Sequence, residues 1–142
     1  MTIKLTSDEM RYITLFEETT GARVHDCVID ESENRIIFVV KKGDIGIAIG
    51  GRGDKIRKVR QAIGKSIKVI EYSDDITEFL KNTFVPAKIK NINVVEHDGK
   101  RVAIMTVEKQ EKGIVIGTKG RKIQNAKKLA HRYYGIHDIL IA

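Results

Sequence analysis

The stretch Ile45–Ile56, "IGIAIGGRGDKI", places Gly50, Gly51 and Gly53 within four residues, between an apolar run and a basic amphipathic segment. Glycine loses more backbone freedom on folding than any other residue, so ordering such a cluster is unfavourable unless geometry demands it. The stretch Lys112–Ile123, "KGIVIGTKGRKI", repeats the device. Aligned residue for residue, Gly46 to Gly53 fall on Gly113 to Gly120, and Ile56 falls on Ile123. Upstream, "NRIIFVV" (Asn34 to Val40) matches "KRVAIMTV" (Lys100 to Val107), and "ARVHDCVID" parallels "AKIKNINVV", with Val24 against Ile89 and Cys27 against Ile92. The correspondence is too long for a solenoid repeat and describes a duplicated domain.

Each copy reads as α-β-β-α-α-β. In the first, Thr6-Ser7-Asp8-Glu9 is a capping box, with Thr6 as N-cap and Glu9 reaching back. Leu5 and Met10 are placed for a hydrophobic staple, and Met10, Ile13 and Phe16 recur at helical spacing until Gly21 supplies a left-handed stop. Strands are predicted near 23–30 and 34–41, joined by a polar turn around Glu31 to Glu33. A short helix from about Asp44 enters the glycine loop. A second runs from Asp54 to Ala62 with Ile56, Val59 and Ile63 on one face, and Ser66 to Tyr72 closes the unit as a strand. In the second copy Asp75 caps a helix, with Glu78 in the capping-box position, and Pro86 breaks the chain before the next strand. Asp98-Gly99 is a hairpin turn. Ile123, Ala126, Ala130 and Tyr133 mark the buried face of a longer helix, and "IHDILIA" is the last strand. The fold class is α+β, with domains at 1–72 and 73–142, each a three-stranded mixed sheet packed against helices. Only Ser73 and Asp74 separate the copies, which predicts a fixed pair.

With 42% apolar and 32% charged residues, the 142-residue chain can bury a core and stay soluble. No apolar run is long enough to span a bilayer, and the start "MTIKLTSDEM" lacks the apolar core of a signal peptide. Cys27 stands alone, which fits a reducing, cytoplasmic setting. His25, His97, His131 and His137 have no cysteines at zinc-ligand spacing, so neither metal nor cofactor is expected. His25-Asp26 and His137-Asp138 are adjacent, but no motif places a nucleophile beside them, and an enzyme is not expected.

The net charge of +7 is unevenly spread. From Gly50 to Lys68, Arg52, Lys55, Arg57, Lys58, Arg60, Lys65 and Lys68 face Asp54 alone. From Gly117 to Arg132, Lys119, Arg121, Lys122, Lys127, Lys128 and Arg132 face no acid. One such run is usually a solvated helix face. Two, each directly after a glycine loop, favour a polyanionic partner.

Other uses of the loops fit less well. A triphosphate-binding loop needs Lys-Ser or Lys-Thr where Arg52-Gly53 stands, and a dinucleotide fingerprint needs G-x-G-x-x-G inside a βαβ unit. A plain helix connection would explain one isolated G-x-x-G. Glycines at a helix start instead provide bare backbone, unpaired N–H groups and a positive dipole end, which together make a phosphate seat. Gly50, Gly53, Gly117 and Gly120 would admit another backbone, while Arg52 and Lys119, beside Gly51 and Thr118, would meet its phosphates.

"IAIGGRGDKI" and "IVIGTKGRKI" resemble the I-G-x-x-G-x-x-I signature of KH domains, and the element order is that of their type II form. The tandem resembles the KH pair of archaeal NusA-like transcription factors over the whole chain. Larger bacterial relatives carry an extra N-terminal domain and an OB-fold, neither visible here, so contacts made through those parts are not carried over. The resemblance implies single-stranded RNA recognition, each G-x-x-G clamping about four nucleotides. It places Ile49 with Ile56, and Ile116 with Ile123, on the apolar floor of a groove. Lys55, Arg57 and Lys58 become flanking charges in one copy, and Arg121, Lys122 and Lys128 in the other. Asp54 stands opposite Arg121 and would weaken the first copy. Tyr12, Phe16, Phe38, Phe79 and Phe84 read as core rather than base platforms, and one of Tyr133 and Tyr134 as buried with the other free for a surface contact. The implied role is a cytoplasmic monomer acting on elongation or termination, with RNA polymerase or other transcription factors as further partners. Ribosome assembly, RNA turnover and a protein-docking role are the alternatives.

Overall fold

The computed structural model describes residues 3–142. The chain forms two compact units that meet in sequence between Ser73 and Asp74. In the first, α1 (Ser7–Thr20), β1 (Val24–Asp30), β2 (Arg35–Val40), α2 (Ile45–Ile49), α3 (Asp54–Ile63) and β3 (Ser66–Glu71) follow the predicted order. The second repeats it as α4 (Ile76–Phe84), β4 (Ile89–His97), β5 (Lys100–Val107), α5 (Lys112–Ile116), α6 (Arg121–Tyr134) and β6 (Ile136–Ile141). The fold is α+β, with two three-stranded mixed sheets packed on helices.

The start of α1 is fixed as its sequence dictates. Thr6 accepts from the Glu9 amide at 3.1 Å, and the Glu9 carboxylate accepts from the Thr6 amide at 2.8 Å. Gly21 ends the helix at φ 80°, ψ −3°. Met10 departs from expectation: its spacing puts it on the apolar face, yet it is half exposed. Tyr12, Ile13 and Phe16 make the contacts with the core, so the first turn overhangs it.

In the first sheet β2 is central, antiparallel to β1 and parallel to β3. Parallel neighbours require a crossover, which α2, the glycine loop and α3 provide. All of β2 after Arg35 is buried. Phe38 stacks on Phe16 with ring centroids 4.2 Å apart, and Ala48 of α2 and Val59 of α3 close the same core. This packing fixes the helix-loop-helix against the sheet and sets the direction in which the loop points.

The second unit has the same topology. Both antiparallel pairs carry a register shift near the start of the first strand, between Val24 and Asp26 and between Ile89 and Asn91, which are aligned positions. The β4–β5 hairpin turns at Asp98 (φ 53°) and Gly99 (φ 76°), both in the left-handed region that a two-residue turn needs. Phe84, Met105, Val115, Ala126, Ala130 and Ile139 lie in the core. Leu129 is also buried, an addition to the predicted face of α6. Tyr133 and Tyr134 are both half-buried rather than divided between core and surface; each ring lies against Phe79, at 5.4 and 5.7 Å between centroids.

Candidate nucleic-acid interface

The two glycine loops are built alike, torsion by torsion. Gly50 and Gly117 lie at φ 78°, ψ 178° and φ 77°, ψ 174°. That region is essentially closed to any residue with a side chain. Arg52 (φ 55°, ψ 28°) and Lys119 (φ 56°, ψ 27°) are left-handed although they are not glycines. Gly53 and Gly120 follow at φ 74°, ψ 17° and φ 70°, ψ 15°, and serve as N-caps without a side-chain hydrogen bond. Each loop therefore presents the start of a helix whose amide donors no capping side chain covers. Such an end attracts anions.

The glycines divide into two kinds. A Cβ on Gly50 would run into Asp54 Oδ1 and Lys55 Cγ and lie 2.9 Å from Lys55 Cβ; on Gly117 it would lie 2.6 Å from Lys122 Cβ. At these two positions glycine is required by the chain itself, by the backbone torsions and by Asp54 and Lys55 in one loop and Lys122 in the other, which fill the space of a side chain. Gly51 and Gly120 have nothing within 4 Å of an added Cβ, and Gly53 only ordinary contacts at 3.8 Å and beyond. Close approach from outside is open there.

The predicted charges are not equivalent either. Arg52, Lys58, Lys119 and Lys128 are exposed, as is Thr118. Arg57 is exposed, but its Nη1 donates to the Arg52 carbonyl at 3.0 Å and braces the strained residue. Lys55 and Arg121 are partly exposed. Lys122 turns back, and its Nζ lies 3.4 Å from the Phe84 carbonyl and 3.5 Å from that of Val85, at the C-terminal end of α4. A cation is favourable at that end of a helix dipole, so this charge serves the fold.

Among the isoleucines, Ile123 is buried, Ile56 is partly so, and Ile49 and Ile116 are 40% and 41% exposed. Sequence reasoning left out Ile47 and Ile114, 51% and 44% exposed on the same short helices. Their aligned positions and the shortness of α2 and α5 were the available signal, since a five-residue helix cannot bury every apolar side chain. Apolar surface beside a helix start that attracts anions could take the face of a nucleobase.

The remaining candidate groups are engaged otherwise. Asp26 Oδ1 accepts from the Cys27 amide at 2.8 Å, and His25 stacks on Tyr72 with centroids 3.9 Å apart. Asp138 pairs with Lys127 at 3.0 Å, which holds its carboxyl below the usual carboxylate range. Among the described residues, no group of histidine, cysteine and carboxylate side chains could hold a metal, and no helix is long and apolar enough to cross a membrane.

The KH domain family model matches residues 10–96, from α1 through the first loop and into β4. The chain is 38% identical over 141 residues to the "Probable transcription termination protein NusA" of Methanococcus vannielii, covering 99% of this chain and 80% of that one. It is 33% identical to the protein of the same description from Halococcus morrhuae, covering all of both. Among solved structures it is similar to the crystal structure of APE1850, at a TM-score of 0.84 and 38% identity over 97% of this chain and 100% of the other. Fold, loop geometry and full-length similarity agree: the chain belongs to the archaeal NusA-like family of KH-domain proteins.

Proposed function

We propose that this protein is a NusA-like transcription factor that binds single-stranded RNA through both glycine loops. In this reading the units, divided as 1–72 and 73–142, are tandem type II KH domains. The RNA backbone passes over Gly51 to Gly53 and Thr118 to Gly120, where approach is open. Its phosphates meet the uncovered amides at the starts of α3 and α6, with Arg52, Lys55 and Lys58 beside them in the first unit and Lys119, Arg121 and Lys128 in the second. Bases lie against the isoleucines of α2 and α5. Binding nascent RNA while associated with the polymerase, as a cytoplasmic monomer, it acts on elongation or termination.

The observation that carries this reading is the torsion-by-torsion identity of the two loops, including a strained cationic residue at the tip of each. Unlike the asparagine and aspartate at Asn34 and Asp98, an arginine or lysine has no preference for the left-handed region, and strain of that kind collects at binding sites. The relatives named as termination proteins supply the transcriptional context.

Gly51→Asp with Arg52→Asp, combined with Thr118→Asp and Lys119→Asp, tests it. The fold should survive, because Gly51 has open space and aspartate tolerates the left-handed conformation better than most residues. Affinity for an unstructured RNA should fall at least about tenfold, and the log–log salt slope should drop by roughly 0.7 for each phosphate no longer neutralised. Unchanged affinity would remove the loops as the site. A slope near zero in the unsubstituted protein would favour the protein-docking alternative.

A further inference from the structure

The loops share a backbone but not an electrostatic setting. The first residue of α3 is Asp54, an acid in the first turn; α6 begins with Arg121 and has no acid in its first turn. The Asp54 carboxylate does not simply stand in solvent. Its Oδ1 is buried without a hydrogen-bond partner and lies against Gly50, where an added Cβ would meet it. Leaving a buried carboxylate oxygen unsatisfied is unfavourable, and the positive end of the α3 dipole offsets this in part. That same field is what draws a phosphate to a helix start. The equivalent space beside Gly117 is filled by the backbone and Cβ of Lys122, which bring no negative charge.

The cations also differ. In the first loop Arg57 is drawn onto the Arg52 carbonyl; the aligned residue in α6 is the neutral Gln124. The second loop places Arg121 where the first has its carboxylate. A carboxylate within a few ångströms of an incoming phosphate repels it, most strongly where water is excluded.

We propose that the two loops are unequal: Gly117 to Gly120 form the primary phosphate seat, and Asp54 holds Gly50 to Gly53 to a weaker one. The inference rests on the RNA-binding reading above. It makes Asp54 and Arg121 the residues that set the ranking.

The test uses the full chain and an unstructured RNA of about four to six nucleotides, long enough for one loop, with binding read by fluorescence anisotropy at constant salt. Thr118→Asp with Lys119→Asp should lower affinity at least about tenfold, and Gly51→Asp with Arg52→Asp no more than about threefold. In the chain lacking the second loop's binding residues, Asp54→Asn should raise affinity about threefold or more, and in the chain lacking the first loop's, Arg121→Asp should lower it by a comparable factor. Thermal melts establish that each variant is folded. Equal losses from the two loops, or no gain from Asp54→Asn, would overturn the ranking while leaving the loops as the site. No loss from either loop would overturn both.

Discussion

Arg52 and Lys119, one in each unit, hold the same left-handed backbone conformation to within a degree in both torsions. Each carries its charge at the tip of a loop, in a conformation that costs a non-glycine residue on the order of 1 kcal/mol. A trade between stability and binding follows. Asparagine adopts this conformation more readily, so Arg52→Asn and Lys119→Asn should leave unfolding free energy unchanged or raise it by about 0.5 kcal/mol while weakening RNA binding. Denaturant titration and anisotropy on the same samples measure both sides. A variant that binds RNA as tightly as the original would show that these cations do not meet the ligand.

The two kinds of glycine make opposite predictions. Gly50→Ala and Gly117→Ala place a methyl against the lysine stems in a backbone region reserved for glycine, and each should cost about 2–3 kcal/mol. Gly51→Ala meets nothing within 4 Å and should change stability by less than about 0.5 kcal/mol. Urea unfolding separates them, and equal costs at Gly50 and Gly51 would contradict the loop geometry.

The capping box at Thr6 and Glu9, the stop at Gly21 and the turn at Asp98-Gly99 are local, because each depends on side chains within a few positions of the backbone they satisfy. The duplication made both loops visible. The reason Gly50 and Gly117 are glycine was not visible. The lysine stems that block them reach across a non-helical kink, and periodicity carries no information about such contacts. Lys122 looked like another surface cation, yet its ammonium serves carbonyls 38 and 37 positions away in sequence. Met10 had the right spacing for the core but lies on a turn that extends past it. Local rules placed the elements; tertiary contacts decided what individual side chains do.

Cys27 provides a probe of the first unit. It is fully buried, and burial, reinforced by the nearby Glu9 and Asp26 charges, pushes its thiol up to about 12. The thiolate is the reactive form, so at pH 8 the native protein should resist a thiol reagent and react fully once denatured. The reaction rate across a denaturant series should track unfolding of the first unit. Rapid labelling of native protein would mean that the β1–β2 core opens readily.

Acid should loosen the first unit through Asp44. Its carboxylate accepts from the Arg23 backbone amide at 2.8 Å and from the Arg23 guanidinium at 3.4 Å. These contacts hold its carboxyl below the usual carboxylate range, the amide bond contributing most. A lowered folded-state value means that the stabilisation is present above the ordinary aspartate pKa, about 3.9, and is lost as pH falls through the folded value. Asp44→Asn keeps an acceptor for the amide but no titrating group. As pH falls below the ordinary aspartate value its stability should therefore fall less steeply than that of the original protein. Parallel slopes in acid denaturation would show that Asp44 contributes nothing to the pH dependence.

The central claim is that RNA backbone lies over both loops, and mapping amide chemical shifts during titration with a short single-stranded RNA tests it most directly. The account predicts that the largest shifts fall on Gly51, Arg52 and Gly53, on Thr118, Lys119 and Gly120, and on the first amides of α3 and α6. Shifts confined to other surfaces, with these amides unmoved at saturation, would contradict it.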